Sequence, residues 1–533
     1  MPKMMSINYE RIPESDLAEN ESSHVSVSDR PYFFNKNIRK IVAVFICLFI
    51  ASGVLFSWYM HERDHNAQLE SGVSIYQTSK GHGDRLQLMH ASDFKERGLY
   101  LDEFHFRPGS NRVRVSSNAN GIPAGKVSVD TKTTFQYIIG FGGAFTEAAA
   151  HNFFKLPSDV RDEFLELYFG ESGIGFSMGR LHINSCDFSL ASYSFDDVDG
   201  DYKLKHFDHE VSHDKVEIIP LILAAMEKSR HKINLVASPW SPPAWMKVPR
   251  SVSSSVSKIT HHSDDSGKIV DDLEQSSKVE EVSLMVGSST PNGLRDDPKT
   301  MQAWALYISL FLSAYEAAGV DVWAITPQNE PEFAAPWEAC TYNASFESKF
   351  VEGFLGPQLR ADHPEIKILA FDHNKDHLLD WAQEMLFPED IDTLSEYVDG
   401  MAFHWYGGTG DRLLDGTYGY DTVNATHFLA PDKILLATEG CSCPGVKMGD
   451  WLRAERIGHD ILYDLNSYAQ GWVDWNLLVD HQGGPNHLNN LCDAPIIASS
   501  NFTHLHLQPE YFYMGHVSKF VVPGSIRVAS DAV

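Results

Sequence analysis

Residues 322–332 read VWAITPQNEPE and residues 433–439 read KILLATE. Each is a short apolar run without helical period that ends on an acid, Glu330 in the first and Glu439 in the second. Runs of this kind are buried strands of a parallel sheet, and an acid at the C-terminal end of such a strand stands where a (β/α) barrel keeps its chemistry. A lone Asn-Glu-Pro is more often a loop glutamate beside a proline. The second strand-end glutamate reverses that reading. Although about a hundred residues apart in sequence, the two carboxyls can converge at one barrel mouth. Such a pair suits glycoside cleavage, with one carboxyl as acid/base and one as nucleophile.

The elements needed to position them follow in order. From residue 135 onward strands and helices alternate: YIIGFGG, a helix over 159–169, GFSMGRLHI, a helix near 218–230, INLVASPW, a helix over 300–319, then VWAIT. Beyond lie IKILAFDHN, GMAFHWY, KILLATE, a helix over 451–469 and VDWNLLVD. About eight strands separated by helices predict an α/β fold, a (β/α)8 TIM barrel over 135–505. Residues 249–299 interrupt the rhythm with a serine run and many charges, and predict a flexible surface insertion in a βα-loop. Residues 73–134 carry short alternating runs broken by Gly, Pro and Asn, the mark of β-sandwich strands. Residues 506–533 return to β character and are expected to rejoin that module as a truncated set of sandwich strands.

At 533 residues the chain accommodates a barrel plus a second module, and its 43% apolar content fills a large core. Lys plus Arg number 43 against 72 Asp plus Glu, a formal net charge of −29. With no basic cluster interleaved with aromatics, nucleic acid is excluded as a partner. Such acidity suits a compartment at low pH. The six cysteines are irregularly spaced, and Cys441-Ser442-Cys443 is too tight for a paired metal hook. They predict buried free thiols, at most one disulfide and no zinc site.

Residues 1–40 are polar and predict a disordered tail. Residues 41–60, IVAVFICLFIASGVLFSWYM, are long enough to cross a bilayer core of about 30 Å. Lys36, Arg39 and Lys40 precede them, so the positive-inside rule leaves the tail cytosolic and the remainder lumenal or outside. A transmembrane signal anchor, followed by a linker over 61–72, is preferred to a cleaved signal peptide, because the apolar run begins far from Met1. Asn343, Asn424 and Asn501 open Asn-x-Ser/Thr triplets that fit a glycosylated lumenal domain. Asn20 opens another, which would be cytosolic in this topology, and Tyr9-Glu10-Arg11-Ile12 has the tyrosine-x-x-bulky form that adaptors bind as an extended peptide.

Several motifs recur in one order: FGGAFTEAAA at 141, SCDFS at 185, ASPWSPPAWMK at 237, NEP at 329, HWY at 404, ATEGC at 437, GWVDWN at 471 and GGPN at 483. Over residues 138–528 the chain resembles the glucosylceramidase branch of glycoside hydrolase family 30. The resemblance implies a retaining β-glucosidase that cleaves glucosylceramide or a related β-glucoside, with Glu330 as general acid/base and Glu439 as nucleophile. A retaining site needs these carboxyls about 5 to 5.5 Å apart. By the same resemblance Asn329 bonds the sugar 2-OH, Trp240 and Trp475 form sugar platforms, and Asn490 contacts glucose hydroxyls. Glu147 stands where the family has an Asp that holds sugar hydroxyls. His404 and Tyr406 lie near the nucleophile, Tyr406 placed to bond Glu439 as a carboxylate, and Arg180 supplies positive charge to the same end.

No cofactor is implied. Metal ligation by His404 or its neighbouring histidines is not expected, because no carboxylate–histidine spacing supports it. The implied surroundings are a membrane in a lysosome or endosome and a lipid-presenting activator protein. Two features depart from the family pattern: an anchor in place of a cleaved signal and N-terminal cysteine cluster, and fewer strands after GSIRVA. Because the barrel motifs are shared across the family, a hydrolase of another β-linked glycan, such as a β-1,6-glucan or a xyloside, is one alternative, and the second departure makes a truncated, inactive glycan-binding product another.

Overall fold

The computed structural model describes residues 75–80, 83–89, 112–114, 126–263, 269–388, 395–406 and 418–532. The tail over 1–40, the anchor over 41–60 and the linker over 61–72 lie outside the described residues, as do Cys47, Asn20 and the tyrosine motif. Among the described residues no helix is long and apolar enough to cross a membrane. The chain divides into two units, residues 135–527 and residues 1–134 with 528–533.

The larger unit holds a closed barrel of eight parallel strands: β1 (Gly140–Ala144), β2 (Met178–Ile183), β3 (Asn234–Pro239), β4 (Val322–Ile325), β5 (Lys367–Asn374), β6 (Gly400–His404), β7 (Ile434–Glu439) and β8 (Gly471–Asn476). Each strand pairs with the next in sequence, and β8 closes on β1. Strands β2, β7 and β8 are buried at every position, because one face packs the barrel interior and the other is covered by helices. That is why they lack the strict alternation of a half-exposed strand, even where Arg180, His182 and Asp474 interrupt the apolar residues. The lower interior is filled by Met178, Val236, Ala324, Leu369, Leu436 and Val473.

Glycine sets the approach of β1 to β2. A Cβ on Gly142 would stand 1.9 Å from the Met178 carbonyl oxygen, so the FGG run is a packing requirement. The expected helices form at Ser158–Phe169, Ile218–Lys228, Pro298–Ala317 and Trp451–Asn466, and a further one, beyond those expected, forms at Glu147–Lys155. Their starts are marked by side-chain caps where the sequence offers them: Thr146, Asp297 and Asp450 each accept from backbone N–H groups of the first turn.

Two expectations about the later chain need correction. Residues 509–518, expected as sandwich strand, form the helix Pro509–Ser518 of the barrel unit, and within 506–533 strand is confined to the end of Leu505–Leu507 and to Ile526–Ala532. Proline takes the first helical position, and eight of its ten residues are buried. Burial on nearly all sides removes the amphipathic stripe by which a helix is recognised. In the region 249–299, expected as a loop, Arg250–Ser263 and Ile269–Val282 pair as a regular antiparallel ladder. It does lie in a βα-loop, between β3 and the helix Pro298–Ala317. At its base the buried Lys247 ammonium donates to the carbonyls of Met285 (2.7 Å), Gly287 (2.7 Å) and Ala339 (2.5 Å).

In the smaller unit Ile75–Gln77 pairs with Gln87–Met89, and Arg112–Arg114 pairs with Lys126–Tyr137 in a three-stranded sheet that includes Ile526–Ala532. These ladders are β structure as expected, but no sandwich of two packed sheets is established among the described residues.

Candidate active site

The C-terminal ends of the barrel strands open into one cavity of about 630 Å³. Glu330 and Glu439 both line it. Glu439 is the last residue of β7, directly opposite His404 at the end of β6. Glu330 lies five residues beyond β4, with a positive φ of 46°. For a glutamate that conformation costs of order 1–3 kcal/mol and must be held by its surroundings. The Glu330 N–H donates to the Asp372 carbonyl at 3.0 Å, and Asn329 N–H donates to Pro239 O at 2.8 Å. The supporting strand is itself bent: Phe371 and Asp372 have φ of 79° and 58°, at a break in the β5–β6 register.

Beneath the carboxylates lies a buried ionic network centred on Arg180, which is fully buried on β2. Its guanidinium donates to Glu439 Oε2, to Asn329 Oδ1 at 2.7 Å and to Asp372 Oδ2 at 2.7 Å. Asp372 also accepts from the hydroxyls of Ser238 (3.0 Å), Thr326 (2.7 Å) and Thr438 (2.6 Å). Its Oδ1 lies 3.0 Å from His404 Nε2. Burial alone would raise the Asp372 carboxyl, but Arg180 and His404 hold it well below the usual carboxylate range. Burial would likewise leave His404 neutral, yet Glu439 and Asp372 raise its imidazole to about 9. Above the network the Tyr406 hydroxyl donates to Glu439 Oε1 at 2.6 Å. Glu439 is thus bonded on both oxygens, which fixes its orientation.

Trp240 and Trp475 stack on each other, ring centroids 5.2 Å apart at 27°. Arg180 sits 4.7 Å from the Trp240 ring and 5.6 Å from that of Trp475. Both indoles line the cavity, as do Asn329, Tyr406 and Asn490. Seven of the expected residues are therefore brought together on one surface. Arg180 and His404 stand behind it, acting on the carboxylates.

Glu147 departs from expectation. It does not line the cavity. Its carboxylate accepts from Leu190 N at 3.0 Å and lies 3.0 Å from His213 Nε2. As the first residue of the helix Glu147–Lys155 it is turned into that partnership by its own helical start.

Asp187, in the SCDFS run, lines the cavity and accepts from Asn490 Nδ2 (2.9 Å) and Asn486 Nδ2 (3.1 Å). Burial pushes its carboxyl up to about 7. Asp187 ends no recognisable apolar run, so the signal that picks out the two glutamates does not reach it. A strand-end acid in AFDHN was the one available cue for Asp372.

Cys443 and Cys492 form a disulfide that ties the segment after Glu439 to the loop carrying Asn490. Cys186, Cys340 and Cys441 are buried free thiols, in line with expectation. Among the triplet asparagines, Asn343 and Asn501 are exposed, whereas Asn424 is half-buried on the helix Tyr420–Leu429.

Residues 138–268 and 278–521 match the glycosyl hydrolase family 30 TIM-barrel domain. The mouse (Mus musculus) lysosomal acid glucosylceramidase is 31% identical over 414 residues, covering 76% of this chain and 72% of that protein. The crystal structure of SrfJ from Salmonella typhimurium superposes with a TM-score of 0.66 at 29% identity, covering 86% of each chain. A solved endo-β1,6-glucanase gives 0.61 at 25% identity, covering 76% of this chain and 81% of its own.

Proposed function

Because the chain belongs to glycosyl hydrolase family 30, we propose that it is a retaining β-glucosidase whose substrate is glucosylceramide. The observation that carries this reading is the pair Glu330 and Glu439 lining one cavity, with Glu439 bonded through both oxygens by Arg180 and Tyr406. Glu439, ionised and oriented, attacks the anomeric carbon while Glu330 gives its proton to the departing glycosidic oxygen. Water then enters, Glu330 takes its proton, and the glucosyl–Glu439 ester is released as glucose. Asn329 is oriented by Arg180 to bond the sugar 2-OH, and Asp187 with Asn490 offers acceptors and donors to the outer hydroxyls.

The lipid half of the substrate is supported by the cavity mouth. Phe333 and Leu452 line it while remaining 42% and 46% exposed, and Trp337 packs edge-on against Phe333 at 5.7 Å. Exposed apolar side chains around a polar sugar site suit a ceramide more than a second sugar. A second reading, hydrolysis of a β-1,6-glucan, is supported by likeness to the endo-β1,6-glucanase. Turnover of glucosylceramide against a β-1,6-glucan oligosaccharide separates them. Under the leading reading, ceramide is released by the wild type. Release falls at least about 100-fold in Glu330→Gln and in Glu439→Gln, and full activity in either variant overturns the assignment.

The same proposal places the catalytic unit in a lumen, anchored through residues 41–60, in a lysosome or endosome, with a lipid-presenting protein as helper. The exposed triplet asparagines Asn343 and Asn501 support a lumenal face. A mobility shift on treatment with an N-glycosidase, absent in the Asn343→Gln/Asn501→Gln double variant, is the expected result.

A further inference from the structure

Three barrel strands deliver three ligand-type atoms to one point beside the acid/base. Glu330 Oε1 lies 3.6 Å from His404 Nδ1 and 4.0 Å from His373 Nδ1. All three atoms fall within 4.8 Å of one another. Both histidines are buried, His404 completely and His373 to within 8%, and neither Nδ1 has a hydrogen-bond partner among the described residues. A buried nitrogen left without a partner destabilises the fold. Two of them facing one carboxylate oxygen is an arrangement that a cation would satisfy.

The support around these atoms has the form found in metal sites. His404 Nε2 faces Asp372 Oδ1 at 3.0 Å, and a carboxylate on one imidazole nitrogen fixes the ring so that the other nitrogen can take the ion once the ion has displaced its proton. Zinc bonds of about 2.0–2.2 Å in tetrahedral geometry separate ligand atoms by about 3.3–3.6 Å. The two separations from Glu330, 3.6 and 4.0 Å, lie close to that range, and the histidines close on the ion by side-chain rotation. Glu330 and His373 line the cavity, which supplies an entry path and a fourth position for water.

We propose that Glu330, His373 and His404 form a binding site for a borderline divalent cation of the zinc type, and that an ion bound there blocks the acid/base. Two imidazoles and one carboxylate are ligands that suit zinc and cobalt rather than calcium or magnesium. Sequence spacing gives no hint of the site because its ligands come from beyond β4, from β5 and from β6. Inhibition rests on the acid/base reading of Glu330; binding does not.

The test is titration of the purified full chain with Zn²⁺ by calorimetry and with Co²⁺ by visible absorption. The comparison is between wild type, His373→Asn, Glu330→Gln and a surface control, His504→Asn. One site is expected in the wild type and in the control, weakened at least tenfold in His373→Asn. Glu330→Gln, which keeps the side-chain shape, is expected to weaken it too and serves if His373→Asn does not fold. Zn²⁺ should also suppress wild-type hydrolysis, with His373→Asn resistant when each is scaled to its own metal-free rate. Equal affinity in wild type and both site variants, or loss of binding in the surface control alone, overturns the site. Binding that follows His373 and Glu330 in a protein with no metal-free hydrolysis supports the site while counting against the proposed function.

Discussion

At the scale of single residues the site is a buried charge network with catalytic carboxylates at its surface. Tyr406 has a sharply defined task, because its hydroxyl meets Glu439 Oε1 at 2.6 Å. A hydrogen bond to a charged group contributes about 1.5–3 kcal/mol, so Tyr406→Phe is expected to lower kcat about 10- to 100-fold with a smaller effect on KM. Steady-state kinetics on a soluble β-glucoside reads this directly, and an unchanged kcat contradicts the assigned role. Arg180 differs in kind. It serves Glu439, Asn329 and Asp372 at once, and removing one member of a buried ionic group leaves charge unpaired at a cost of about 3–5 kcal/mol. Arg180→Met is therefore expected to lower the denaturant midpoint as well as activity, and a variant with wild-type stability contradicts the network.

These residues differ in how readable they were. Glu330 and Glu439 announce themselves by ending apolar runs. Glu147 stood in an equally suggestive motif, but nothing in a sequence says that its carboxylate turns toward His213 instead of the cavity. Asp372 was invisible as a hub because its importance comes from converging neighbours on β2, β3, β6 and β7 and just beyond β4.

At the scale of elements, backbone proximity decides which positions tolerate change. Gly142 has no room for a Cβ, since the Met178 carbonyl oxygen would lie at 1.9 Å. Gly142→Ala is expected to force β1 from β2 and cost about 3 kcal/mol or more, read as a lowered unfolding midpoint. A neutral Gly142→Ala variant contradicts the close approach. Barrel strands and capped helices were legible because apolar runs, caps and spacing agree with the fold. The helix Pro509–Ser518 was not, because burial on almost every side erases its period. The ladder Arg250–Ser263 with Ile269–Val282 was not, because serines and charges on both strands show no inside and outside.

At the scale of the whole molecule, buried acids tie stability to pH. Burial pushes Glu347 up to about 8 and Asp187 up to about 7. A carboxyl whose folded value lies above its unfolded one contributes stability that is fully present below the unfolded pKa, near 4, and is lost as pH rises through the folded value. His404, raised to about 9 against the effect of burial by Glu439 and Asp372, acts in the same sense. Its contribution is fully present below about 6.5 and is lost as pH rises toward 9. His373 opposes them. Burial and the charge on His404 lower it to about 4, so its neutral form loses stability for the fold as pH falls below about 6.5. The balance predicts a higher unfolding temperature near pH 5.5 than near pH 8, and a monotonic rise toward pH 8 contradicts it. The formal charge of −29 acts in the same direction, since self-repulsion eases as carboxylates protonate. At this scale the eight-stranded barrel and its acidic character were both open to reading from the sequence, because each is a sum over many residues and survives local misreadings.

The central claim is that Glu439 is a nucleophile held ready by Arg180 and Tyr406. The most direct measurement is incubation of the catalytic unit with a glucose-configured epoxide, followed by intact mass and peptide mapping. One covalent adduct on Glu439, absent from Glu439→Gln, is the predicted result; turnover of substrate with the adduct on another residue, or with none, would contradict it.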